Sequence, residues 1–148
     1  MKYLTGIYAM NIPCDLDTSG DWHWAALNWD NADFKFSDNS FYGDYGISKE
    51  KISTPIGYYH VANHIRAFLD LLLDKKYKVA LGTRNDYIDN EKYTYEILSK
   101  VYELKKTEEW SAIDQFMKKE YGVHWLAFLK LKGGSNNANV ERKSFTSD

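Results

Sequence analysis

His60 and His64 lie four positions apart in YYHVANHIRAFLDLL, and on a helix that spacing sets both imidazoles on one face, where they could share a metal. A transition metal needs a third ligand, and His23 is the supplier the sequence offers, with Asp21 beside it and Asp44 as an outsider. The same groups suit a small acid–base enzyme of hydrolase or nuclease type, with His23 and His64 moving protons while Asp21 and Arg84 assist. Against this, the interval between the two histidines holds Ala62 and Asn63 and lacks the glutamate of a HExxH motif. The competing expectation, which carries more weight, is structural: His60 flanks the start of a helix and His64 hydrogen-bonds across the core. The expected cofactor is therefore none, with a divalent metal as the alternative.

Other polar clusters carry weaker signals. Cys14, His23 and Asp21 are the residue types of a thiol nucleophile, a base and an orienting acid, but nothing around Cys14 forms a nucleophile turn, and a lone cysteine after a strand is usually a small packed side chain. Asp15, Asp17 and Asp21 lack the glycine and glutamate of a calcium loop and are expected in a solvated turn. Around Gly82–Tyr87, Arg84 could join Arg66 in clamping an anion, while Asn63, Asn85 and Asp86 supply amide and carboxylate contacts. The alternative makes Arg66 and Asp70 a helix-surface pair, since they too are four apart. P-loop, dinucleotide-binding and serine-elbow motifs are all missing from the sequence.

These residues need elements to hold them. Lys2–Ile12 is rich in β-formers and ends before Pro13, which predicts a first strand, and Cys14–Gly20 reads as a turn. Alternation from Trp22 to Trp29 predicts a second strand covered on both faces, Asp33–Phe36 a third, and Ser37–Gly46 a loop. Val61, Ile65, Phe68, Leu69 and Leu72 recur at helical spacing, predicting a helix over about 58–75, with 78–90 left between strand, turn and helix break. Asn90 is an N-cap candidate for a helix over 91–106. A further helix opens at Thr107 and stops at Gly122, and Val123–Leu131 is a buried helix or strand. The expected fold is α+β, a small antiparallel sheet from the N-terminal third packed against three to four helices. Residues 1–132 form a single domain, and 133–148 a flexible polar tail too poor in apolar groups to fold alone.

Composition narrows the partners. A formal charge of −2 provides no field to draw in duplex nucleic acid. One cysteine excludes an internal disulfide and suits a reducing compartment, and no apolar run approaches the roughly 20 residues that span a bilayer. The expectation is a cytoplasmic protein without membrane contact. Aromatic residues make up 16% of the chain, a high share, most of which a thick core would absorb. The remainder would form a binding surface, with Trp22 and Trp24 as candidates beside Asn63, Arg66, Asn85 and Asp86.

Three segments, KYLTGIYAMNIPCDLDTSGDWHWAALNW, YYHVANHIRAFLDLL and GTRNDYIDNEKY, together resemble a poorly characterised group of small bacterial proteins associated with mobile elements and with abortive-infection or toxin–antitoxin loci. The resemblance spans about residues 2–105 and brings no catalytic residues with it. It implies a role in defence or anti-defence through a protein partner. The leading expectation is accordingly a binding or regulatory protein, followed by the histidine-centred enzyme. A single-stranded nucleic-acid binder, alone or within a ribonucleoprotein, stacking bases on Trp22, Trp24 and tyrosine rings, comes third.

Overall fold

The computed structural model describes residues 1–137 of the chain, which divides into two compact units, Met1–Val101 and from Tyr102 onward. The fold is α+β. In the first unit β1 (Lys2–Leu4) is cut short because Gly6 takes a left-handed φ of +64°, and the chain turns into α1 (Gly6–Ala9) in place of the longer strand expected to Ile12. β2 (Phe34–Phe36) coincides with the strand expected there. β3 (Ile52–Thr54) and β4 (Gly57–Val61) form a hairpin, and the sheet runs in the order β2-β1-β4-β3. Two ladders are antiparallel, but β1 and β4 pair in parallel, so the sheet is mixed.

The segment Trp22–Trp29 is not a strand. It holds a short 3-10 turn at Trp24–Ala26, with another at Trp29–Asn31, and His23 sits in the left-handed region at φ 51°. Alternation misled here because the Asn28 side chain caps the second turn by accepting from Asp30 N–H, a local bond that competes with a ladder. The helix expected over 58–75 begins later, as α2 (His64–Leu73), since residues 57–61 belong to β4. Asn63 marks the true start: its Oδ1 accepts from Arg66 N–H at 2.9 Å, satisfying one of the free amides of the first turn.

Every residue of α2 from His64 to Leu72 is buried, as in a helix wrapped on all sides. Two short helices, α3 (Tyr77–Ala80) and α4 (Thr83–Asp86), follow it. Asn90 caps a 3-10 turn by accepting from Lys92 N–H, and α5 (Thr94–Tyr102) continues from that turn. The expected helix over 91–106 is thus α5 with a 3-10 turn at each end, Glu91–Tyr93 and Glu103–Lys106.

In the second unit, α6 (Trp110–Tyr121) stops at Gly122, whose φ is +52°, and α7 (Val123–Asn137) follows. Trp125 is fully buried and donates from Nε1 to Asp114 at 2.8 Å, while its ring stacks on Phe128. The tail expected over 133–148 begins inside α7, and its part beyond Asn137 lies outside the described residues. No helix among the described residues is long and apolar enough to cross a membrane.

Candidate functional site

The histidine and arginine candidates resolve into two closed polar centres on α2. His64 is fully buried at the first position of the helix. Its Nε2 lies 2.8 Å from the Ile12 carbonyl, which can only accept, so the ring carries its proton there and Nδ1 is the acceptor. Nδ1 meets the Thr18 hydroxyl and stands 3.1 Å from Tyr87 Oη, whose own proton goes to the Met10 carbonyl. Burial pushes the imidazole below its ordinary pKa, with the Ile12 bond and Asp15 opposing. Burial likewise raises the Tyr87 phenol. The result is a neutral ring with both nitrogens occupied, which fastens the Cys14–Gly20 turn to the core.

The second centre surrounds Arg66 and Asp70, which sequence spacing made a surface pair and the tertiary structure buries at 0% and 1% exposure. All five guanidinium hydrogens are used. Nε donates to Asp70 Oδ1 at 3.1 Å, Nη1 to the carbonyls of Gly43 and Tyr45, and Nη2 to Tyr3 Oη and Ser40 Oγ. Asp70 Oδ2 takes the hydroxyls of Tyr3 and Thr5, each at 2.7 Å. Burial first, and Asp70 second, push the Tyr3 phenol up. Arg66 therefore has no donor left for an external ligand: it ties the Ser40–Tyr45 loop, β1 and α2 together.

The remaining candidates scatter. His60 lies on β4, with Nδ1 2.9 Å from the Ser48 carbonyl, so the helical face it was to share with His64 does not exist. His23 is exposed, with its ring against that of its neighbour Trp22. No group of three metal-ligating side chains forms among the described residues. Asp21 accepts from the Ser19 hydroxyl, and Cys14 Sγ accepts from Leu16 N–H, both local turn bonds. Asp17 bonds Asn90 and Lys92, its carboxyl held down first by Tyr93. Arg84 donates to Asn85 at 3.3 Å within α4, where Asp86 is exposed. Trp22 packs on Tyr87 and donates to the Val79 carbonyl at 2.8 Å, whereas Trp24 stands 69% exposed. Asn63 lines a cavity of about 490 Å³ with Asp15 and the Gly46–Lys49 segment.

What the sequence did not single out is the sheet itself. α2 lies on one face, bonded through Tyr3 and through Lys35, which meets Asp74 at 2.7 Å. The register of the ladders puts Lys2, Phe34, Phe36, Ile52 and Tyr59 on the opposite face, with Leu4 and Val61, and only those last two are buried. The Phe34 and Tyr59 rings, on strands either side of β1, meet at 4.8 Å between centroids. Lys2 Nζ sits 4.6 Å over the Phe34 ring, a cation–π contact. Phe36 is 59% exposed. By the same register Tyr58 and His60 belong to the Tyr3 side of the sheet, and with Met1, Lys2, Lys51 and Tyr59 they line a cleft of about 440 Å³ with no carboxylate among its lining residues. The available signal was the Phe-Lys-Phe alternation of 34–36, which puts two phenyl rings on one face. A sequence does not say which face of a strand a helix will cover.

With this geometry in hand, comparison adds no relative: neither a known protein family, nor a curated protein, nor a solved structure matches the chain.

Proposed function

We propose that the chain is a binding module that engages a macromolecular partner through the open face of its sheet. The observation that carries this is one sheet face on which Lys2 and Phe36 are exposed and Phe34, Ile52 and Tyr59 only half-buried, so that aromatic and aliphatic area stays partly open to water. Aromatic side chains with a cation beside them are the usual anchors of binding surfaces. The histidine-centred enzyme draws less support, because both nitrogens of His64 are taken inside the fold. Defence, anti-defence or toxin–antitoxin action in a bacterial cytoplasm is the setting that the resemblance adds to the proposal.

The test compares wild type with Phe36→Glu, an exposed site where substitution changes stability by about 0.5 kcal/mol or less. Immobilised on beads in a bacterial extract, wild type should retain a partner that Phe36→Glu loses and that Tyr95→Glu, at another exposed aromatic, keeps. Equal recovery by Phe36→Glu and wild type refutes the assignment to this face.

A further inference from the structure

Away from the open sheet face, we infer that the turn carrying Trp24 docks on a second copy of this chain, in the cleft lined by Lys51, Tyr58 and His60. Trp24 is 69% exposed, and Ala25 and Ala26 beside it are exposed as well, although tryptophan is among the more deeply buried residue types on average. The turn is fastened at both feet. At one, the Trp22 indole donates to the Val79 carbonyl at 2.8 Å and Asn11 donates to the Trp22 carbonyl at 2.7 Å. At the other, Tyr8 Oη donates to the Asn28 carbonyl at 2.9 Å, and the Tyr8 ring meets that of Trp29 edge-on. Trp24 is thus presented on a turn that is already ordered, which lowers the entropy cost of binding through it.

Charge says what the turn can meet. No Lys or Arg stands between Lys2 and Lys35, whereas that stretch carries five aspartates. Asp33 pairs with Lys76 and Asp17 with Lys92, but Asp15, Asp21 and Asp30 have no cationic partner among the described residues, and the last two flank the turn. An exposed indole edged by unpaired acids repels polyanions and fits an apolar pocket edged by cations.

The chain carries such a pocket. No carboxylate lines the cleft, Lys51 pairs with none among the described residues, and the Met1 amine is matched by Asp38 from outside the lining. Glu50 is exposed between Lys49 and Lys51, which leaves that short run positive. Tyr58, 69% exposed on the cleft, offers a ring for the indole to pack on. The volume of about 440 Å³ is within the roughly 300–1,000 Å³ of pockets that enclose small ligands, room enough for one indole. Trp24 does not line the cleft of its own copy, so turn and cleft stand unmatched on each chain. Turn into cleft is a heterologous contact: it closes when two copies exchange turns and otherwise continues from copy to copy. One tryptophan buries roughly 150–250 Å², far below the roughly 1,200 Å² of a stable interface, so the association is weak and reversible.

The experiment is sedimentation velocity on the full chain, tagged at its C-terminus, from about 10 μM to about 1 mM, the range of weak pairs. The mean mass of wild type should rise reversibly with concentration, and less so as salt goes from about 0.05 to about 0.5 M. Trp24→Ala, and separately Lys51→Glu/Tyr58→Ala, should each weaken association by at least about tenfold. Mixed in equal amounts, these two variants should form a one-to-one pair, because one keeps the cleft and the other keeps the turn. Contact between two like surfaces would not return on mixing.

Asp30→Lys, at an exposed side chain, reverses the charge beside the turn and should also weaken association, which gives a second reading should Trp24→Ala fail to fold. Wild type that stays monomeric to about 1 mM overturns the inference. So does association that survives the change on either side, or variants that do not pair on mixing. None of these substitutions lies on the Phe36 face, so the capture assay on that face stands or falls separately.

Discussion

Replacing Arg66 by Met tests whether the Arg66–Asp70 centre holds the first unit together. The substitution keeps the aliphatic stem and deletes the guanidinium, leaving a carboxylate that is 1% exposed with only the Tyr3 and Thr5 hydroxyls as donors. It also strips donors from the Gly43 and Tyr45 carbonyls and from Ser40 Oγ. Breaking a buried pair from one side costs about 3–5 kcal/mol, a large part of the roughly 5–15 kcal/mol that stabilises a domain. At about 4 °C per kcal/mol for a unit of this size, Tm should fall by about 10–20 °C, and the urea midpoint should fall with it. Circular dichroism and tryptophan fluorescence would follow the transition.

The double variant Arg66→Met/Asp70→Leu sharpens the test. It removes the orphaned charge, although the Tyr3 and Thr5 hydroxyls then lose their acceptor at about 1–3 kcal/mol each. The double variant should therefore be no less stable than Arg66→Met alone, a strong departure from additivity between residues in contact. Two losses that simply add, or an Arg66→Met loss under about 1 kcal/mol, would refute the reasoning and return the pair to the weak surface class.

Two further outcomes follow from the same region. Gly46 has φ +73° and a Cβ there would lie 2.7 Å from Arg66 Cβ, whereas Gly43 at φ +56° has open space around it. Urea unfolding of Gly43→Ala should show only the left-handed penalty of about 1–2 kcal/mol, and Gly46→Ala should lose about 2–5 kcal/mol once steric overlap is added; equal losses would contradict the close approach. For His64, whose pKa is lowered by burial, the folded and unfolded states are both neutral at about pH 7.5, so the group contributes no pH dependence there. Below about pH 6.5 the unfolded chain takes up a proton that the folded ring resists, so stability falls with pH, by at most about 1.4 kcal/mol per unit. Urea midpoints between about pH 7.5 and 5.5 should therefore drop further for wild type than for His64→Gln, and the same drop in both would remove His64 as the cause.

Local signals survived the passage from sequence to structure. Asn90 caps its turn, Gly122 ends α6, and Asp33–Phe36 contains β2, because capping, left-handed glycine and short β-former runs depend on a few neighbouring residues. The apolar spacing of Ile65, Phe68, Leu69 and Leu72 located α2, but not its first turn, since the β-formers of 58–61 find their ladder in β1, more than fifty residues earlier. Partner strands decide such segments, and a partner is not a local property. For the same reason Trp22–Trp29, which alternates well, never became a strand: no ladder receives it.

The sites divide along the same line. From the sequence alone came the residue types: a histidine four positions after another, an arginine four before an aspartate, and an excess of aromatic rings. Only the tertiary structure decided their surroundings. It buried His64 and Arg66 with every polar group satisfied, and it covered one face of the sheet with α2 while leaving Phe36 exposed on the other. The spacing of a residue is written in the chain, whereas its exposure depends on what the rest of the chain packs against it.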